Sequence, residues 1–250
     1  MKDVLLNARE IGWEVEGQWI LEGIGMALQE DEFFVIMGPN GCVKTSLLKI
    51  LAGLVLPSRG EVRIRTDPVS WYPIRSCVEE RAGEVSFVFD TGGLISNLNV
   101  FDNVALPLRY HGKMPETQVK KIVEEALVDL DLSASAELRP AGLSPGLKKR
   151  AQIARAKVMK PRVVFYDNPE SGVDSAQNRL LREAILGLHR QGGRLSILAT
   201  GSVGWELEAA DRIALLNHGR LEAIGSLKEL RAHASEHVRE LLQGRNYSGG

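Results

Sequence analysis

The stretch FFVIMGPNGCVKTSLLKILAGL, Phe33 to Leu54, constrains this chain more than any other. An apolar run, Phe33 to Met37, reads as a buried strand, and a loop of Gly, Pro and Asn follows it. Leu47, Leu48 and Leu51 then fall on one face of a helix that closes near Gly53, with Pro57 just beyond. Strand, glycine loop and helix in that order is the layout of a P-loop, G-x-x-x-x-G-K-S/T. There, backbone N–H groups wrap phosphate oxygens, the Lys neutralises them, the hydroxyl residue ligates Mg²⁺ and the helix start adds its positive dipole end. Gly38, Lys44 and Thr45 match that pattern, while Val43 stands where the second Gly belongs.

The remaining sequence predicts an α/β chain. Its 250 residues, 44% hydrophobic, suffice for one large domain with a lobe or insertion. A net charge of -1 gives no electrostatic argument for nucleic acid. No signal-peptide pattern and no apolar run near the roughly 18 residues of a membrane span is apparent, so a cytosolic location is expected. Cys42 and Cys77 lack metal-ligand spacing, and Cys42 reads as a small loop residue.

Residues 4–30 read as short antiparallel strands carrying Trp13 and Trp19. PSRGEVRIR predicts a turn and a strand with Val62 and Ile64 inward, and 66–83 reads as irregular. VSFVF, Val85 to Phe89, predicts a buried strand ending at Asp90. The spacing Val119, Ile122, Val123, Ala126, Leu127, Leu130 predicts an amphipathic helix. A second helix follows Ser144 and carries Ile153, Ala154 and Val158 before Pro161. VVFYD, Val163 to Asp167, predicts a strand delivering a carboxylate at its C-terminal end, where open α/β sheets place ligands. A helix through Leu180, Leu181, Ile185 and Leu188 comes next. The strand LSILAT, a hairpin turning at Asn217 to Arg220, and a helix from Leu227 to about Leu242 complete the reading.

With these motifs in order, the chain resembles the nucleotide-binding subunit of ABC transporters over nearly its whole length. The carriers are the Walker A at Gly38 to Thr45, the signature-like LSPGLKKR at Leu143 to Arg150, the Walker B at Val163 to Asp167, and Ser171-Gly172-Val173-Asp174 as a D-loop. Within that superfamily, FDTGGLISNLNVFDNVALPLRY, Phe89 to Tyr110, looks like the ATPase subunit of MCE-associated, Mla-type phospholipid transporters. The resemblance implies a RecA-like P-loop NTPase core with an antiparallel β subdomain (1–89 and 160–250) and an inserted helical subdomain (90–159). It further implies ATP and Mg²⁺ as cofactors, a membrane permease and an MCE-domain protein as partners, a second nucleotide-binding subunit, and a peripheral place on the inner membrane face.

Residue by residue, the resemblance puts phosphate on Gly38, Pro39, Asn40, Gly41, Cys42, Val43, Lys44, Thr45 and Ser46, the adenine on Trp13, and Mg²⁺ on Thr45, Asp167 and Asp90. Leu143, Ser144, Pro145 and Gly146 would face the partner's nucleotide. Five positions depart from the family pattern. Val43 replaces a Gly, and in a left-handed conformation a β-branched residue there costs about 1–2 kcal/mol or more. Asp90 replaces the Q-loop Gln and adds negative charge. Pro145 replaces the first signature Gly and removes an N–H donor. Asn168 replaces the Glu that polarises the attacking water, and an amide is no general base. Gly201 replaces the switch His. Glu170 is the nearby carboxylate, but sequence adjacency does not put it in line. The departures together lead us to expect a retained fold with little or no ATP hydrolysis. A slow working ATPase and a scaffold without nucleotide are the alternatives.

Overall fold

The computed structural model describes residues 3–39, 43–66, 70–80, 83–111, 114–233, 238 and 241–242. The chain packs as two units, residues 1–81 with 193–250, and residues 82–192.

In the first unit, β1 (Val4–Val15) turns back into β2 (Gln18–Gln29) through Glu16 and Gly17. Both turn residues have positive φ, 49° and 80°, the geometry whose twist matches that of an antiparallel pair. β3 (Phe33–Met37) is buried along its whole length, and the glycine loop leads from it into α1 (Lys44–Leu51). Leu47, Leu48 and Leu51 are fully buried, and the chain leaves the helix at Gly53, φ 74°. β4 (Arg59–Arg65) pairs antiparallel with β1 and turns Val62 and Ile64 inward, 5% and 0% exposed. The segment expected to be irregular instead holds β5 (Trp71–Pro73), an edge strand on β4, and α2 (Ile74–Glu80). Pro73 ends that strand on an edge that needs no further donor, and α2 exists because it buries Ile74 and Cys77. Pro68, part of the same reading, lies outside the described residues.

The second unit begins with β6 (Val85–Val88). Next come α3 (Val100–His111), α4 (Glu116–Asp129), two 3₁₀ turns at Ser133–Ser135 and Pro140–Gly142, α5 (Pro145–Lys157), β7 (Val163–Asp167) and α6 (Ser175–His189). β6 and β7 run parallel, Val88 opposite Tyr166. β6 and β7 pair with each other, and α5 packs on β6. On α4 the predicted stripe is buried at Val119, Val123, Ala126, Leu127 and Leu130, and Ile122 lies at its rim.

The chain re-enters the first unit with β8 (Leu195–Thr200), α7 (Trp205–Ala209), β9 (Arg212–Asn217), β10 (Arg220–Gly225) and α8 (Leu227–His233). β3 lies between β8 and β9 and is parallel to both. The β9–β10 turn at His218 and Gly219 (φ 42° and 75°) sits against β2, where Glu22 N donates to Gly219 O at 3.0 Å. A Cβ at Gly219 would lie 2.1 Å from Ile20 O, so only glycine fits that contact. Most of the expected helix beyond His233, and the tail after Gly244, lie outside the described residues.

Candidate functional site

Parallel strands deliver their loops at the same end, and within each unit this gathers candidate site residues. In the first unit Met37 pairs with Thr200, so Gly38 and Gly201 leave neighbouring strand ends side by side. Lys44 is 6% exposed and its ammonium donates to Gly38 O at 2.8 Å and Pro39 O at 2.9 Å. Thr45 and Ser46 are half-buried in the first turn of α1. Val43 is the N-cap, at φ 37° and ψ 24°, and its side chain offers no acceptor to the helix start. The left-handed conformation that makes a β-branched residue costly is therefore present. The first turn of α1 also holds no acidic residue. Asn40, Gly41 and Cys42 lie outside the described residues. At Gly201 the switch position has no side chain, and Ser202 N donates to Thr200 Oγ1 at 3.2 Å. Trp13 is half-buried on β1 opposite Leu21, whereas Trp19 is 50% exposed and lies over Gly12.

In the second unit β6 and β7 set Asp90 beside Asp167 and Asn168. Asp167 is 3% exposed, and Asn168 adopts φ 39°. A side chain that sequence reasoning passed over joins them. Lys149, 3% exposed on α5, donates to Phe89 O at 3.0 Å, to Asp90 Oδ1 at 3.3 Å and to Asn168 O at 3.3 Å. Burial lowers its pKa, and the charges of Asp90 and Asp167 work against that shift. The carboxylate expected to add negative charge is thus accompanied by a buried cation. Gln152 fixes the same turn, accepting from Phe89 N at 2.8 Å and donating to Gly92 O at 3.2 Å. Asn103, fully buried, donates to the carbonyls of Ile95, Leu98 and Asn99 and accepts from Ile95 N at 2.7 Å. The available signal was helical spacing. Lys149, Gln152 and Ile153 share a face of α5.

The signature residues occupy the start of α5. Leu143 is buried, and Ser144 is the N-cap, its hydroxyl accepting from Leu147 N at 3.3 Å. Pro145 takes the first helical position, the one best suited to a residue with fixed φ and no N–H. The substitution suits the helix while deleting one donor from its open end. Gly146 is buried against Gln177 of α6, and Arg150 Nη2 donates to Gln177 Oε1 at 3.0 Å.

Comparison with known proteins places these motifs in one family. The family described as "ABC transporter" matches residues 21–171. The chain belongs to the ABC transporter family. It is an ATP-binding subunit. It is 30% identical over 240 residues to the intermembrane phospholipid transport system ATP-binding protein MlaF of Escherichia coli K12, covering 96% of this chain and 89% of that one. It is also 34% identical over 230 residues to the sulfate/thiosulfate import ATP-binding protein CysA of Pseudomonas aeruginosa, covering 90% and 68%. The dimeric ATP-binding cassette MJ0796, in a post-hydrolysis state with ADP and Pi, superposes with TM-score 0.79 at 26% identity over 89% of this chain and 99% of that one. ATP-binding domains of this family bind ATP with Mg²⁺, dimerise and pair with membrane permeases. Among the described residues no helix is long and apolar enough to cross a membrane, and no group of three or more His, Cys, Asp and Glu is placed to hold a metal.

Proposed function

We propose that this chain is the cytosolic, permease-bound ATP-binding subunit of a lipid transporter of the MCE-associated kind, and that it hydrolyses ATP slowly or not at all. The observation that carries the catalytic half is Asn168. It follows the Walker B aspartate with a neutral amide where a base is needed, and its own carbonyl accepts from Lys149. Lys44 and the first turn of α1 would hold the phosphates, and Thr45 and Asp167 would hold Mg²⁺. Bound Mg²⁺ would supply charge neutralisation at the phosphates. Gly201 offers nothing to orient a water, so nucleotide would be held rather than turned over.

The lipid assignment is supported by the segment Phe89 to Tyr110 and by the likeness to MlaF, while the sulfate/thiosulfate importer shows how widely the rest of the sequence is shared. Both sides of a composite site are altered here, Val43, Asn168 and Gly201 on one and Pro145 on the other. Pairing with an intact second subunit would restore no complete site, which favours two copies in a symmetric dimer on the permease.

Equilibrium binding of a fluorescent ATP analogue together with steady-state ATPase measurement tests this reading. Binding without turnover is expected. Robust turnover abolished by Lys44→Ala would overturn the catalytic half, and absence of binding would leave a scaffold. Native mass spectrometry of the assembly from its host should find two copies of this chain with a permease and an MCE-domain protein. One copy beside a different ATPase would overturn the symmetric arrangement.

A further inference from the structure

The Lys149 ammonium has three N–H donors and the structure gives it three acceptors. Two are backbone carbonyls, Phe89 O and Asn168 O, and the third is the Asp90 carboxylate. The lysine side chain is 4% exposed and the aspartate side chain 31%. This is the coordination that a bound cation would otherwise have at this point: carbonyl and carboxylate oxygens from the ends of two adjacent parallel strands. Mg²⁺ needs close, near-octahedral oxygen ligands and keeps several waters. An ammonium already seated on the carboxylate offsets the negative charge that would attract a divalent ion and engages Asp90 Oδ1 and both carbonyls.

We propose that Lys149 is the resident cation of the Asp90 carboxylate, so that the turn after β6 is closed onto the end of β7 by a protein ammonium rather than by a metal. Asp90 is then a positioning residue and not a Mg²⁺ ligand. Its role is to hold the Phe89–Asp90 turn, through the Lys149 ammonium, to α5 and to the Asn168 carbonyl whether or not nucleotide is present. The inference stands on the geometry of the second unit and holds whether or not the protein hydrolyses ATP.

Hydrogen exchange measured by mass spectrometry on the full chain tests it, reading the amides of residues 89–93 without nucleotide and with Mg²⁺ alone. Mg²⁺ should leave these amides unchanged in the unmodified protein. Lys149→Met should speed their exchange on the order of tenfold, equivalent to about 1.4 kcal/mol, while Lys149→Arg keeps most of the protection. Adding Asp90→Asn to Lys149→Met should speed exchange no further, because the two act as one pair. If Lys149→Met does not fold, Asp90→Asn alone must accelerate the same amides. Protection of these amides by Mg²⁺ alone, additive effects of the two substitutions, or an unchanged rate in Asp90→Asn would each overturn the proposal.

Discussion

The side chain of Gln177 covers Gly146 so closely that a Cβ on the glycine would lie 2.8 Å from Gln177 Cβ. An alanine in a helix is worth about 1 kcal/mol over glycine, but overpacking of this kind costs roughly 1–3 kcal/mol. Gly146→Ala should therefore destabilise the protein on balance, by about 1 kcal/mol. Urea denaturation checks this, and an unchanged or raised midpoint would show that α6 yields easily.

Val43 holds φ 37° with a β-branched side chain. Val43→Gly removes a strain of about 1–2 kcal/mol and adds the greater unfolded-state freedom of glycine, about 0.5–1 kcal/mol. A net gain of roughly 0.5–1 kcal/mol is expected in chemical denaturation, with tighter binding of an ATP analogue. A loss of stability would mean that the Val43 side chain makes packing contacts worth more than the strain.

Restoring a carboxylate in Asn168→Glu should leave ATP turnover at background. Asn tolerates the left-handed region better than Glu does, so at φ 39° the substitution also adds strain, and Gly201 still supplies no partner for the water. Steady-state phosphate release reads the outcome, and turnover recovered by this single change would show that the departures at Val43 and Gly201 are catalytically silent.

Arg109 links Asp102, at 2.8 Å, and Glu116. The Arg109 hydrogen bond lowers the Glu116 pKa below its ordinary 4.5. A carboxylate whose folded pKa is depressed contributes stability that is present above its unfolded pKa and is lost as pH falls through the folded one. Denaturation midpoints should therefore decline below pH 4.5 less steeply in Glu116→Gln than in the unmodified protein. Equal slopes would remove this pair from the acid response.

The same arginine tests whether residues 91–110 form a surface that docks on a permease. Exposed pairs of this kind contribute little to stability, so Arg109→Glu should fold normally. If residues 91–110 meet a permease, the reversal should reduce co-purification with it. Normal recovery in a folded variant would move the docking surface elsewhere.

The elements most legible in the sequence were those with one dominant cause. β3 and β7 are unbroken apolar runs, and α4 repeats its buried face at helical spacing. The P-loop and signature could be located because their chemistry needs particular residues at fixed spacing. The short edge strand at Trp71 and the helix at Ile74 were missed, since three residues and a single buried face give no period to count. Lys149 was missed for a different reason. A lysine in a basic run reads as solvated, and only the convergence of Phe89, Asp90 and Asn168 provides the acceptors that make its burial tolerable. The consequences of Val43 and Asn168 depended on backbone angles that residue types alone do not fix.

Asn103 gives the segment from Ile95 to Asn99 a shape that is complete within the chain itself. Fixing a backbone residue costs about 1–2 kcal/mol in conformational entropy, and here that cost is met on folding, before any encounter. A partner that read this surface would meet a preorganised template and incur no penalty for ordering the loop.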